Sequence, residues 1–135
     1  MVGEEKMPSA PKRKRVFISF DYDNDKNLKD MLAGQAKHPD SPFVISDWSL
    51  KEAAPQAGWK KEAKNKIENV DVMIVIAGKD THKASGVRAE VRMAKKAGVP
   101  IVQIRGQKDA DVTGVSGAGR VKNWTWANLK KTIHD

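Results

Sequence analysis

Val72-Met73-Ile74-Val75-Ile76-Ala77 is the most continuous apolar run in the chain, and it stops at Gly78. Six apolar residues without alternation suit a strand covered on both faces, as in the centre of a parallel sheet. Before this run, Trp59, Ala63, Ile67 and Val70 fall four, four and three residues apart and share one helical face. After it, the polar loop Lys79-Asp80-Thr81-His82-Lys83 leads into a second helix with Val87, Val91, Ala94 and Ala97 on one side and Gly98 placed to end it. A strand bracketed by two one-sided helices is the repeating unit of an α/β fold.

The same alternation extends in both directions. Val16-Phe17-Ile18-Ser19-Phe20 reads as a buried first strand, followed by the polar stretch Asp21-Tyr22-Asp23-Asn24-Asp25. Asn24 or Asp25 can cap a helix carrying Leu28, Met31, Leu32 and Ala36, which His38-Pro39 ends. Phe43-Val44-Ile45-Ser46 is a short second strand, and the polar stretch from Asp47 through Trp48 to Pro55 reads as a loop. Pro100-Ile101-Val102-Gln103-Ile104 supplies a fourth strand. Residues 106–119 hold four glycines and little apolar content and read as a flexible loop; residues 124–133 close the chain as a helix. Right-handed crossovers then give a flavodoxin-like three-layer α/β sandwich with a parallel sheet in the order 2-1-3-4 and room for a short fifth strand near Val121. Residues 1–13, with Pro8 and Pro11, read as a disordered basic tail, and residues 14–135 as one domain.

Composition narrows the chemistry. The 135 residues include no cysteine, which excludes a disulfide framework, a thiol nucleophile and a thiolate metal site. His38, His82 and His134 are too scattered to form a ligand cluster, so no metal site is expected. No apolar stretch approaches the ~20 residues of a membrane span and none resembles a signal peptide, which predicts a soluble cytoplasmic protein without a membrane partner. The formal charge of +8 invites a nucleic-acid reading. However, five basic and two acidic residues in positions 1–15 account for +3 of it, and elsewhere Lys60, Lys61, Lys64 and Lys66 are interleaved with Glu62 and Glu68. That is the pattern of a solvated face rather than a phosphate-binding stripe.

In this topology a ligand crevice opens outside the carboxyl ends of strands 1 and 3, where residues 20–25, 47–57 and 78–90 are delivered. The acidic stretch after strand 1 would repel a flavin phosphate. Strand 3 ends Ile76-Ala77-Gly78, without the aspartate that a phospho-accepting receiver needs. Gly114-Val115-Ser116-Gly117-Ala118-Gly119 lacks the spacing and the strand-to-helix context of a dinucleotide fingerprint. Ser85-Gly86-Val87-Arg88-Ala89-Glu90 remains, at the start of the helix after strand 3. A carboxylate at Glu90 can face the crevice and stabilise an oxocarbenium ion as an N-glycosidic bond breaks. It can equally serve the helix dipole or pair with Arg88 and Arg92.

The basic opening Lys14-Arg15-Val16-Phe17-Ile18-Ser19-Phe20-Asp21-Tyr22, the segment Asp47-Trp48-Ser49-Leu50, the apolar run 72–77 and the helix start Val87-Arg88-Ala89-Glu90-Val91 together resemble the TIR-like family of the Thoeris antiphage system, over residues 13–104. The resemblance implies a flavodoxin-like TIR domain. It also implies an enzyme that cleaves NAD+ at the nicotinamide bond and makes a cyclic or linear ADP-ribose-type signal that switches on a downstream effector. The family's catalytic glutamate falls on Glu90, with Phe20, Asp21, Trp48, Gly78 and Arg88 expected around the substrate. NAD+ is then a substrate and no bound cofactor is expected. The alternative is a non-enzymatic TIR-like signalling or scaffold module that self-associates. A deoxyribosyltransferase-like activity would use the same glutamate against the same type of bond.

Overall fold

The computed structural model describes residues 13–49, 56–107 and 111–133. Along the chain it runs β1 (Lys14–Ser19), α1 (Lys26–Ala36), β2 (Phe43–Trp48), α2 (Gln56–Glu68), β3 (Val72–Ala77), α3 (Ser85–Ala97), β4 (Ile101–Arg105), β5 (Val121–Lys122) and α4 (Trp126–Ile133), with a 3-10 turn at Thr81–Lys83 before α3. The five strands form one sheet in the order 2-1-3-4-5, and every pair is parallel. The expected flavodoxin-like α/β architecture is therefore the observed one, including the fifth strand at Val121. All six residues of β3 are buried, as the unbroken apolar run requires of a strand with helices over both faces.

Strand alternation divides the core in two. Val16, Ile18, Val72, Ile74 and Ile76 pack with Leu28 and Leu32 of α1 and with Leu129 and Ile133 of α4. Phe17, Met73 and Val75 point the other way, onto Ile67 near the end of α2 and Val87, Val91 and Ala94 of α3. Helix α3 ends as expected at Gly98, whose φ of 75° is the left-handed conformation that glycine adopts without a Cβ penalty.

Three readings of the sequence change in the structure. Asp47 and Trp48 belong to β2, not to a loop, because pairing with β1 continues through a one-residue register shift: Val16 faces Ile45, but Phe17 faces Asp47 and Ile18 faces Trp48, leaving Ser46 as the extra residue. The rest of the proposed loop, residues 50–55, lies outside the described residues, as do residues 1–12 of the basic tail. Second, the described part of the glycine-rich segment is packed. Val115 and Ala118 are buried in the core beside α3. The buried Gln103 side chain accepts from the Val115 N–H at 2.7 Å and donates to the Gly119 carbonyl at 2.8 Å. A buried amide must find partners, and here the loop backbone supplies them, so low apolar content did not mean looseness. Third, Asp25 stands at the N-cap of α1 but makes no side-chain cap bond; its carboxylate serves another loop, described below.

Ile74 is fully buried in the middle of β3. Ile74→Ala leaves a cavity between tightly packed layers and should cost about 2–5 kcal/mol. A urea unfolding midpoint unchanged from wild type would show that the core is not organised around this strand.

Candidate functional site

A cleft of about 370 Å³ opens at the carboxyl ends of β1 and β3, lined by Phe20, Asp21, Tyr22 and Asp23 after β1, Ser49 after β2, Trp59 of α2, Asp80, Lys83 and Ala84 before α3, and Ser85, Gly86, Val87 and Glu90 of α3. Its place is the one that the topology dictates. Two of the three segments expected there, those following β1 and β3, deliver most of the lining.

Glu90 sits at the base of the cleft and is 1% exposed. It is the sixth residue of α3, past the first turn, where the macrodipole has little hold on a charge. Arg88 and Arg92 are exposed. Two buried hydroxyls hold the carboxylate instead: Ser19 Oγ donates to Glu90 Oε1 at 2.7 Å and Ser49 Oγ donates to the same oxygen at 2.6 Å. Such short bonds are charge-assisted, and each compensates part of the cost of taking a carboxylate out of water. Ser49 is itself fixed, since its Oγ accepts the Phe20 N–H at 3.1 Å and its own N–H donates to the Ile18 carbonyl at 2.9 Å.

Of the residues expected around Glu90, Phe20 and Asp21 line the cleft. Trp48, Gly78 and Arg88 are not among its described lining residues. The register shift explains Trp48. Residues paired across parallel strands point to the same face, so Trp48 opposite Ile18 points to the α1 side, where Lys29 Nζ lies 4.5 Å from its ring centroid. The tryptophan that does border the cleft is Trp59, which the sequence offers only as a member of an apolar helical face. Ser19 and Ser49 were also missed; the available signal for Ser19 was a hydroxyl where the strand pattern called for an apolar side chain, and Ser49, in a stretch read as a loop, gave none. Gly78 lies beneath the wall of the cleft. A Cβ there would collide with the Asp25 carboxylate, so only glycine permits this close approach.

Asp25 ties two cleft-lining loops together. Thr81 Oγ1 accepts the Gly78 N–H at 2.8 Å and donates to Asp25 Oδ2 at 3.1 Å, linking the loop after β3 to the one after β1. Phe20 and Tyr22 stack with ring centroids 5.8 Å apart. Asp21, Asp23 and Asp80 make one part of the wall acidic, while Lys83 and the first turn of α3 provide positive potential. Among the described residues no group of three or more His, Asp or Glu side chains could hold a metal ion, and no helix is long and apolar enough to cross a membrane.

Burial pushes the Asp25 carboxyl above its ordinary value of 3.8; the Thr81 hydrogen bond pulls it down, and the charges of Asp21 and Asp80 push it up. A carboxyl raised on folding makes the ionised form a burden. The burden is absent below the ordinary value, where Asp25 is protonated in both states, and grows as pH rises through the raised one. Asp25→Asn keeps an oxygen for Thr81 to donate to and removes the charge. It should therefore be more stable than wild type at pH 7 and lose that advantage below about pH 4. Parallel urea titrations at the two pH values check this; an advantage that grew on acidification would contradict it.

No curated protein matches the chain. A family model does, over residues 17–111, and that span takes in the second half of β1, both helices that cover the cleft side of the sheet, Ser49 and Glu90. On that match, joined to the parallel 2-1-3-4-5 sheet, the chain belongs to the family described as Thoeris protein ThsB, TIR-like domain.

Proposed function

We propose that this domain cleaves NAD+ at the bond between nicotinamide and ribose, and that the product acts as an ADP-ribose-type signal in antiphage defence. The observation that carries the reading is the placement of Glu90: a helix carboxylate at the base of an aromatic-rimmed cleft, held in one orientation by two hydroxyls. When the C1′–N bond breaks, its electron pair leaves with nicotinamide, which turns from a cation into a neutral ring, and positive charge appears on the ribosyl carbon and ring oxygen. A fixed carboxylate beside that carbon stabilises the charge as it forms and needs no reorganisation. Water then yields a linear product, and attack by a group of the same nucleotide yields a cyclic one. The polarity of the cleft suits this substrate. The acidic wall at Asp21, Asp23 and Asp80 favours the nicotinamide cation, while Lys83 and the first turn of α3 favour the diphosphate. Tyr22 offers a partly exposed ring, backed by the buried Phe20 on which it stacks.

One observation favours the non-enzymatic alternative, a module that signals by self-association. Glu90 is 1% exposed with two serines bonded to it, as a structural carboxylate would be. Nicotinamide release by purified protein decides between the two. Glu90→Gln keeps the shape and an acceptor oxygen but removes the charge, so it should lower kcat by about a hundredfold or more and barely change the melting temperature. Equal rates for the two proteins would remove Glu90 from the chemistry. No release by wild type, even when concentrated enough to assemble, would favour the scaffold.

A further inference from the structure

The register shift at Ser46 does more than lengthen β2. In an unshifted strand Trp48 would stand opposite Ser19 on the α3 side, and Ser49 would fall on the α1 side. With one extra residue accommodated at Ser46, pairing advances so that Ile18 faces Trp48, and the next positions along the two strands are Ser19 and Ser49. The two hydroxyls are thereby set side by side on the face covered by α3, where both reach Oε1 of Glu90. Each is 3% exposed or less, so neither is exchanging its bond with bulk water.

We propose that Ser49 is the positioning residue of this site, and that it sets the orientation of Glu90 through the relay Phe20 N–H to Ser49 Oγ, then Ser49 O–H to Glu90 Oε1. The inference rests on the NAD+ reading for its kinetic consequence but not for its structural one. A serine hydroxyl has one proton. The bond to Glu90 at 2.6 Å takes it, and the Ile18 carbonyl, at 3.5 Å, is too distant to compete. The Phe20 N–H fills the acceptor side of the same oxygen, so the donor direction of Ser49 is fixed by the backbone of β1. Ser19 bonds the same carboxylate oxygen from the neighbouring strand, so the carboxylate is referenced to two strands at once. The charged groups facing the cleft around this pair are Asp21, Asp23, Asp80 and Lys83. None of them bonds the two hydroxyls, each of which donates to Glu90 Oε1.

The test uses the full chain and three proteins: wild type, Ser49→Ala, which deletes one oxygen, and Ser49→Thr, which restores a hydroxyl on the same carbon. The first readout is the side-chain carboxyl 13C resonance of Glu90, which needs no turnover. It should move in Ser49→Ala and return toward the wild-type position in Ser49→Thr. The second is nicotinamide release, where Ser49→Ala should lower kcat about tenfold or more while KM stays within about twofold, with Ser49→Thr recovering most of the loss. A Glu90 resonance unmoved in Ser49→Ala overturns the proposal whatever the kinetics, and so does a wild-type kcat in that variant. A merely structural serine would lower the melting temperature and leave kcat and KM in place. Wild type that releases no nicotinamide counts against the NAD+ reading, and the resonance then decides the positioning role by itself.

Discussion

Strand β2 is the edge of the sheet and pairs on one side only, so its register against β1 decides everything that it delivers to the carboxyl end. Side chains alternate with a period of two, and a single extra residue exchanges the faces of all that follow it. The shift at Ser46 sends Asp47 to the α2 side, where it meets Lys66 Nζ at 3.2 Å, sends Trp48 to Lys29 of α1, and brings Ser49 to Glu90. Three contacts with three different helices thus follow from one irregularity in one strand. The same constraint ties fold to site, because the hydroxyl that orients the buried carboxylate is only as well placed as the pairing that precedes it.

Charge is the second organising quantity. The domain buries one carboxylate, Glu90, under two hydroxyl donors and another, Asp25, under a single threonine with two aspartates nearby. The difference matters energetically. Hydrogen bonds to the ionised form compensate desolvation, whereas like charges add to it. Asp25 accordingly carries an unfavourable charge in order to hold the loops after β1 and β3 against each other. Gly78 has no side chain because that carboxylate occupies the space a Cβ would take.

Much of this was legible beforehand, for reasons that can be stated residue by residue. The unbroken run 72–77 could only be a strand covered on both faces, and the spacings of Trp59, Ala63, Ile67 and Val70 and of Val87, Val91 and Ala94 could only be helices lying on it. Strand order and the location of the cleft followed from topology. What the sequence hid were events without a period. An extra residue in a strand leaves no mark in a stretch such as Phe43-Val44-Ile45-Ser46-Asp47-Trp48, which reads equally well as a strand with a loop after it. Trp59 satisfied the helical pattern so well that its second role, on the rim of the cleft, was invisible. Residues 111–119 looked loose because glycine content was weighed and the buried amide of Gln103, which needs their backbone, was not.

A carboxylate that is almost fully covered at rest is compatible with the proposed reaction, because the charge it serves does not exist in the ground state. An interaction made equally with substrate and transition state would tighten binding without raising the rate, whereas one that strengthens only as the ribosyl cation forms lowers the barrier. Holding Glu90 by its hydroxyl bonds instead of by the bound nucleotide separates the two tasks. In the proposed reaction the acidic wall, Lys83 and the partly exposed Tyr22 would carry recognition, and Ser19 and Ser49 would keep the carboxylate where the charge appears. In a scaffold the same serines would have nothing to aim. The division of labour within the cleft, binding at the rim and orientation at the base, is therefore the property in which the two readings differ most.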